Sequence, residues 1–139
     1  MPRAERKIEI NAPPEKVYGI LEDSLSYPIW NIVVNEIKEI GPDKYFSKTN
    51  IGDITSTVKE RVPNKKISST QEGSPMTAYG NVLEPKGDGT MVTLWAEFEK
   101  EENEKMLLKA GEIYLESLKR YAEYLEEGGD PSNYDKKKK

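Results

Sequence analysis

The chain predicts an α+β fold, a curved antiparallel sheet of about seven strands lying against one long C-terminal helix. Residues 103–127 carry Leu107, Ala110, Gly111, Tyr114, Leu118, Tyr121, Ala122 and Leu125 at three- and four-residue steps, which gather side chains on one helical face. Six strand-length stretches precede it, divided by Gly, Pro, Asn and Asp turn signals. These stretches are poor in apolar residues, so the inner face of the sheet has to close against another element, and the helix is the one available. Where the residues between helix and sheet are too small or too polar to fill the space, a pocket results.

The elements follow in order. Ile8 and Ile10 alternate with Lys7 and Glu9, a half-buried strand broken by Asn11, Ala12, Pro13 and Pro14. A helix starts there, because proline is pre-set for the first helical position and Glu15 suits the positive end of the helix dipole. Its inward stripe, Val17, Ile20 and Leu21, is short. Residues 23–27 add a second small turn before Pro28, Ile29, Trp30 and Asn31, after which Val33, Asn35 and Ile37 resume a two-residue period. Turn signals at residues 41–43, 51–53, 63–65, 73–75 and 86–89 leave strands at 33–40, 44–49, 54–62, 66–72, 76–84 and 90–100. Their short loops favour an antiparallel meander. The closing helix, at about 25 residues, spans roughly 37 Å, enough to cross a curved sheet.

The 139 residues read as one domain over 1–127 and a flexible polar tail over 128–139, where Gly128, Gly129, Asp130 and Pro131 stop the helix and Lys136 to Lys139 trail in solvent. There is no cysteine and no histidine, which removes thiolate chemistry, the commonest metal ligand and the commonest general base. No cofactor and no metal centre is expected. A net charge of −4 disfavours nucleic acid as a partner. The charged opening is followed by no apolar run, so neither a signal peptide nor stable membrane insertion is expected, and the expected location is cytoplasmic.

Strand periodicity nominates the site residues. Over residues 54–62, Ile54, Ser56, Val58 and Glu60 share a face, which would turn a carboxylate inward unless Glu60 lies at the exposed rim. Ile67 shares a face with Ser69 and Gln71, and Val92, Leu94, Ala96 and Phe98 form the most continuous apolar face. Such a pocket is amphipathic, and its buried polar groups need one another, water or a ligand, since an unpaired one costs about 1–3 kcal/mol. On the helix, Tyr114 either packs in the core or extends its hydroxyl to a ligand, while Gly111 thins the helix and Leu118 continues the stripe. The phase of residues 76–84 is open. Ala78 and Gly80 facing inward would enlarge a void, whereas Tyr79 would fill it. Trp95, opposite in phase to Leu94 and Phe98, packs beneath a loop or marks a contact patch.

Three stretches resemble a known family. Residues 8–18, from Ile8 through Pro13 and Pro14 to Tyr18, are similar to the front of the START-related SRPBCC superfamily, which includes pollen-allergen-like proteins and polyketide cyclases. Tyr27, Pro28, Ile29, Trp30 and Asn31 resemble its stretch after the helices, and residues 87–93 resemble its Gly-Thr hairpin. The resemblance spans residues 6–125. It implies a helix-grip fold, with the sheet wrapped round the terminal helix and a cavity for a lipid, sterol, polyketide, quinone or similar apolar molecule. The superfamily has no universal catalytic residues to carry over, and Trp30 reads as a packing residue before a ligand platform.

Three functions remain open on the sequence. The first is binding or carrying a small apolar molecule, with Glu60, Gln71 and Tyr114 orienting it among Ser56, Ser69, Val58, Leu94, Phe98, Gly111, Leu118 and Trp30. The second is a cyclase- or dehydratase-like enzyme using Glu60 as acid or base and Tyr114 as donor. The third is a protein-interaction module, chaperone co-factor-like or an assembly factor, meeting a protein partner through an exposed patch around Trp95 and Tyr79, and a homodimer is a further alternative of the same kind.

Overall fold

The computed structural model describes residues 2–50 and 52–136. Its elements are β1 (Arg3–Ile10), α1 (Pro14–Glu22), α2 (Tyr27–Trp30), β2 (Val34–Gly41), β3 (Lys44–Thr49), β4 (Gly52–Val62), β5 (Lys66–Glu72), β6 (Met76–Lys86), β7 (Gly89–Phe98) and α3 (Glu104–Glu126). The strands form one curved antiparallel sheet in the order β1-β7-β6-β5-β4-β3-β2. Strands β2 to β7 are the expected meander. Strand β1 joins at the far edge beside β7, from Arg3 opposite Glu97 to Ile10 opposite Thr90. The architecture is the expected helix-grip arrangement, a curved seven-stranded sheet lying against one long C-terminal helix.

Helix α3 returns over β1 and β7. Polar tethers set its line. The Arg6 guanidinium meets Glu112 at 3.2 Å, Lys119 donates to the Glu9 carbonyl at 2.9 Å, the Asn11 amide donates to Glu123 at 2.9 Å, and Lys16 pairs with Glu126 at 2.9 Å. Most of these groups are partly exposed and contribute little individually, on the order of 0–1 kcal/mol, so burial carries the packing. Val17, Tyr18, Ile20 and Leu21 of α1, with Tyr27 and Trp30 of α2, pack against Leu115, Leu118, Tyr121 and Ala122 of α3 in the main core. A smaller cluster of Ala4, Phe98 and Leu107 fixes the start of α3.

The described part of the expected tail differs from the sequence reading. The Gly129 amide donates to the Tyr124 carbonyl at 2.9 Å, and the Tyr124 hydroxyl donates to the Asp130 carbonyl at 2.8 Å. Tyr134 lies 4.9 Å, centroid to centroid, from both Tyr121 and Tyr124. The Lys136 ammonium donates to the carbonyls of Asn31, at 3.0 Å, and Val34, at 2.7 Å. Residues 128–136 thus dock against α3 and the α2–β2 junction. The physical reason is the pair Tyr124 and Tyr134, whose rings give a polar stretch an apolar anchor. Lys137 to Lys139 lie outside the described residues.

On the outer face of the sheet, Gly80 sits opposite Trp95. A Cβ at Gly80 would lie 2.6 Å from the indole, and the Arg3 guanidinium covers the other side at 4.6 Å from the ring centroid. We expect Gly80→Ala to destabilise the protein by about 1–3 kcal/mol through overpacking. Gly19→Ala, in α1 and facing open space, should instead stabilise by about 0.5–1 kcal/mol. Denaturant midpoints check both, and equal midpoints for the two variants would contradict the packing described.

Candidate functional site

The two halves of α3 pack differently. Leu115, Leu118, Tyr121 and Ala122 press into the main core, whereas Leu107, Ala110, Gly111 and Tyr114 border a partly enclosed cavity of about 140 Å³. Facing them across it are Ser47 from β3, Ser56 and Val58 from β4, Ser69 and Gln71 from β5, Tyr79 and Asn81 from β6, and Leu94 and Ala96 from β7. Tyr27, Asn31 and Val34 close the side nearest α2. Short side chains on both surfaces explain the void, since Ala110 and Gly111 on the helix are met by Ser47, Ser56, Ser69 and Ala96 among the residues across it. The volume is close to that of an engineered cavity of about 150 Å³ that admits benzene.

Among the described residues, no Asp, Glu, Lys or Arg side chain lines this cavity. Its titratable groups are phenols, and Tyr27, Tyr79 and Tyr114 are all held above the ordinary value of 10.0. Burial is the chief cause in each case. For Tyr27 the neighbouring phenols Tyr114 and Tyr79 add to the effect, and for Tyr114 it is Tyr79 that does so. The polar groups form chains across the walls. The Gln71 amide donates to the Ser56 hydroxyl at 3.2 Å, Asn81 donates to the Tyr114 hydroxyl at 3.2 Å, and the Tyr27 hydroxyl donates to the Leu21 carbonyl at 2.8 Å. Two acceptors are left over. Gln71 Oε1 and Asn81 Oδ1 are buried without a hydrogen-bond partner. Among the described residues, no cluster of three or more carboxylates that could hold a metal ion is brought together.

The structure brings together Ser56, Val58, Ser69, Gln71, Leu94, Gly111 and Tyr114, seven of the residues that the sequence nominated. Four lie elsewhere. Leu118 and Trp30 are fully buried in the main core, and Phe98 is fully buried in the small cluster beside Leu107. Trp30 still reaches the site indirectly, with its ring 5.6 Å from that of Tyr114 in an edge contact. Glu60 is on the wrong side. The ladder between β4 and β5 slips by one residue after Val58, so that Val58 faces Ser69 but Glu60 faces Ser68. A bulge of this kind inverts the alternation of side chains beyond it. Glu60 is therefore exposed on the outer face, 3.4 Å from the Lys66 ammonium.

Tyr27 was not foreseen as a lining residue, and strand periodicity alone leaves open whether the face of Tyr79 and Asn81 turns inward. For the last two a signal existed. The tight Gly87–Asp88 turn pairs Lys86 with Gly89, and stepping back along that register places Leu83, Asn81 and Tyr79 opposite Val92, Leu94 and Ala96. Since the β7 residues were already recognised as the inward face, their partners had to be inward too. Tyr79 therefore narrows the space, while Ala78 and Gly80 face outward.

A family model described as "Polyketide cyclase / dehydrase and lipid transport" matches residues 1–126. No curated protein matches the chain. Among solved structures, the chain is similar to the protein XoxI from Bacillus cereus, with a TM-score of 0.79, 16% identity, and coverage of 91% of this chain and 99% of that one. It is also similar to a START superfamily protein from Mycobacterium smegmatis, with a TM-score of 0.73, 18% identity, and coverage of 88% and 98%. A third is the di-domain ARO/CYC BexL from the BE-7585A biosynthetic pathway, with a TM-score of 0.73, 21% identity, and coverage of 90% of this chain and 47% of that one. At these identities the structural likenesses speak for the fold.

The buried phenols make alkaline pH a test of the site. A phenol whose folded pKa lies above its unfolded one stabilises the fold fully below the unfolded value, and that contribution is lost as pH rises through the folded one. Stability should hold to about pH 10 and then fall by up to about 1.4 kcal/mol per pH unit for each of the three phenols. Absorbance at the phenolate band should show Tyr27, Tyr79 and Tyr114 ionising only together with unfolding. Reversible ionisation of all eight tyrosines in one step, with the fold intact, would contradict their burial.

Proposed function

The chain belongs to the polyketide cyclase/dehydrase and lipid transport family, within the START-related SRPBCC superfamily, and on that premise we propose that it binds or carries a small, mostly apolar molecule in the cavity between α3 and the sheet. The family's description spans two kinds of work, apolar-ligand transport and cyclase or dehydrase chemistry. The observation that carries the choice between them is the uncharged lining of the cavity. A transferable proton near neutral pH needs a group that titrates there, and burial pushes Tyr27, Tyr79 and Tyr114 further from that range. With Glu60 on the outer face, the acid–base candidate of the enzymatic reading has no access to the cavity.

Affinity in such a site comes from apolar walls. Burying apolar surface contributes roughly 25 cal/mol per Å², and Val58, Leu94, Ala96 and Tyr114 supply that surface here. The polar chains Ser56–Gln71 and Asn81–Tyr114 orient the bound molecule. The alternative of a docking patch around Trp95 and Tyr79 finds less support. Tyr79 turns into the cavity, and Arg3 lies over the Trp95 ring.

The experiment is a titration of isotopically labelled protein with a small alkylbenzene such as toluene, followed by amide chemical shifts. We expect shifts confined to residues around Ser56, Ser69, Gln71 and Tyr114. We also expect an affinity loss of about tenfold or more in Gly111→Leu, where even a Cβ would sit 3.4 Å from Leu94 Cδ2 and a full side chain fills the void. Val58→Phe blocks the same space from the sheet side. Scattered shifts that both variants leave unchanged would overturn the proposal, whereas Glu60→Gln should alter nothing.

A further inference from the structure

The cavity's polar inventory constrains what it accepts. Asn81 is 1% exposed, and its amide nitrogen is already spent on the Tyr114 hydroxyl, which leaves Oδ1 buried with no donor. Gln71 repeats the pattern from the neighbouring strand, its nitrogen on Ser56 and its Oε1 buried with no donor. An unsatisfied buried carbonyl oxygen is rare in folded proteins and asks for an explanation. Both of these oxygens belong to side chains that line the same cavity. Among the described residues, the rest of the wall offers no cation to neutralise an anionic group, and no carboxylate to pair with an ammonium.

Resting on the binding role proposed above, we infer that the occupant is a neutral molecule about one aromatic ring in size that carries an O–H or N–H donor, a phenol in its simplest form, and that Asn81 Oδ1 and Gln71 Oε1 receive its protons. Each element follows from the wall. Size follows from a volume of about 140 Å³, near that of a cavity known to admit one benzene ring. Neutrality follows from the absence of a counter-charge, because a buried ion without a partner is strongly disfavoured. The donor follows from the two free acceptors, since an apolar molecule that displaces water from them leaves both unpaired. The rings of Tyr27, Tyr79 and Tyr114 flank the space and suit an aromatic guest, whose edge can meet their faces. Free fatty acids are excluded on this reading, and long-chain lipids exceed the space.

Calorimetric titration at neutral pH with 4-ethylphenol, its methyl ether 4-ethylanisole and 4-ethylbenzoate separates the claims. These three share a ring and an alkyl group and differ in donor and charge. We expect 4-ethylphenol to bind at least tenfold more tightly than the ether, and 4-ethylbenzoate to bind more weakly than either. In Gln71→Leu, the preference for phenol over ether should shrink severalfold while the ether itself binds no worse. Where that variant fails to fold, the three wild-type affinities decide alone. Equal binding of phenol and ether, or tightest binding of the benzoate, overturns the donor-and-neutrality inference and leaves the carrier reading standing. If none of the three binds at millimolar concentration while larger apolar compounds do, the size argument falls with the inference. If nothing apolar binds at all, the carrier reading itself is overturned.

Discussion

A rigid helix pinned to a sheet at both ends cannot sink into it in the middle, and this constraint governs the site. Leu107 is fixed against Ala4 and Phe98 near the start of α3, while Leu115 and Leu118 are fixed in the core with Trp30, Val17 and Leu21. Between those anchors the helix offers Ala110 and Gly111, and the sheet answers with Ser47, Ser56 and Ser69. Side chains that short do not bridge the gap set by the bulkier ones on either side. A space of about 140 Å³ that the side chains do not occupy costs on the order of 3 kcal/mol relative to a close-packed core, at roughly 24 cal/mol per Å³. That is a large fraction of a small domain's stability, and occupancy by a ligand offsets it.

The same geometry sorts the charges. A third of the residues are charged, yet those among the described residues lie on the outer face, at the rims, or along the seam between α3 and β1, where Arg6, Lys119, Glu112 and Glu123 meet. Among the described residues the interior keeps only neutral polar groups, and burial stabilises Tyr27, Tyr79 and Tyr114 in their protonated form. A site of this kind selects by shape and by hydrogen-bond complementarity, because any charge brought inside finds no partner. The docked segment up to Lys136 reinforces one wall. Its ammonium holds the carbonyls of Asn31 and Val34, two residues whose side chains face the cavity.

Much of this was legible in the residues. Three- and four-residue spacing marked α3, glycine and proline turns divided the meander, and the order of elements matched a known superfamily. Alternation correctly placed Ser56, Val58, Ser69 and Gln71 on the inner face, because the ladder there is regular. It misplaced Glu60 because a single-residue bulge after Val58 leaves no mark in a period-two pattern. Leu118, Trp30 and Phe98 carry the right chemistry for a wall, but which part of a stripe is packed solid depends on contacts with distant elements. For Leu118 the decisive neighbours are α1 and α2, which the helical spacing of α3 does not encode. Tyr134 was hidden in a segment of polar composition. Its docking depends on one ring meeting two others, a feature too small to alter a compositional average.

The central claim is that side chains leave a reachable space open between Gly111 and the serines of β3, β4 and β5. Diffraction from crystals held under xenon tests it most directly, since xenon enters apolar voids of this size and is located by its own scattering. The account predicts a xenon site bounded by Val58, Leu94, Gly111 and Tyr114. Side chains filling that volume, with xenon absent from it, would contradict the account.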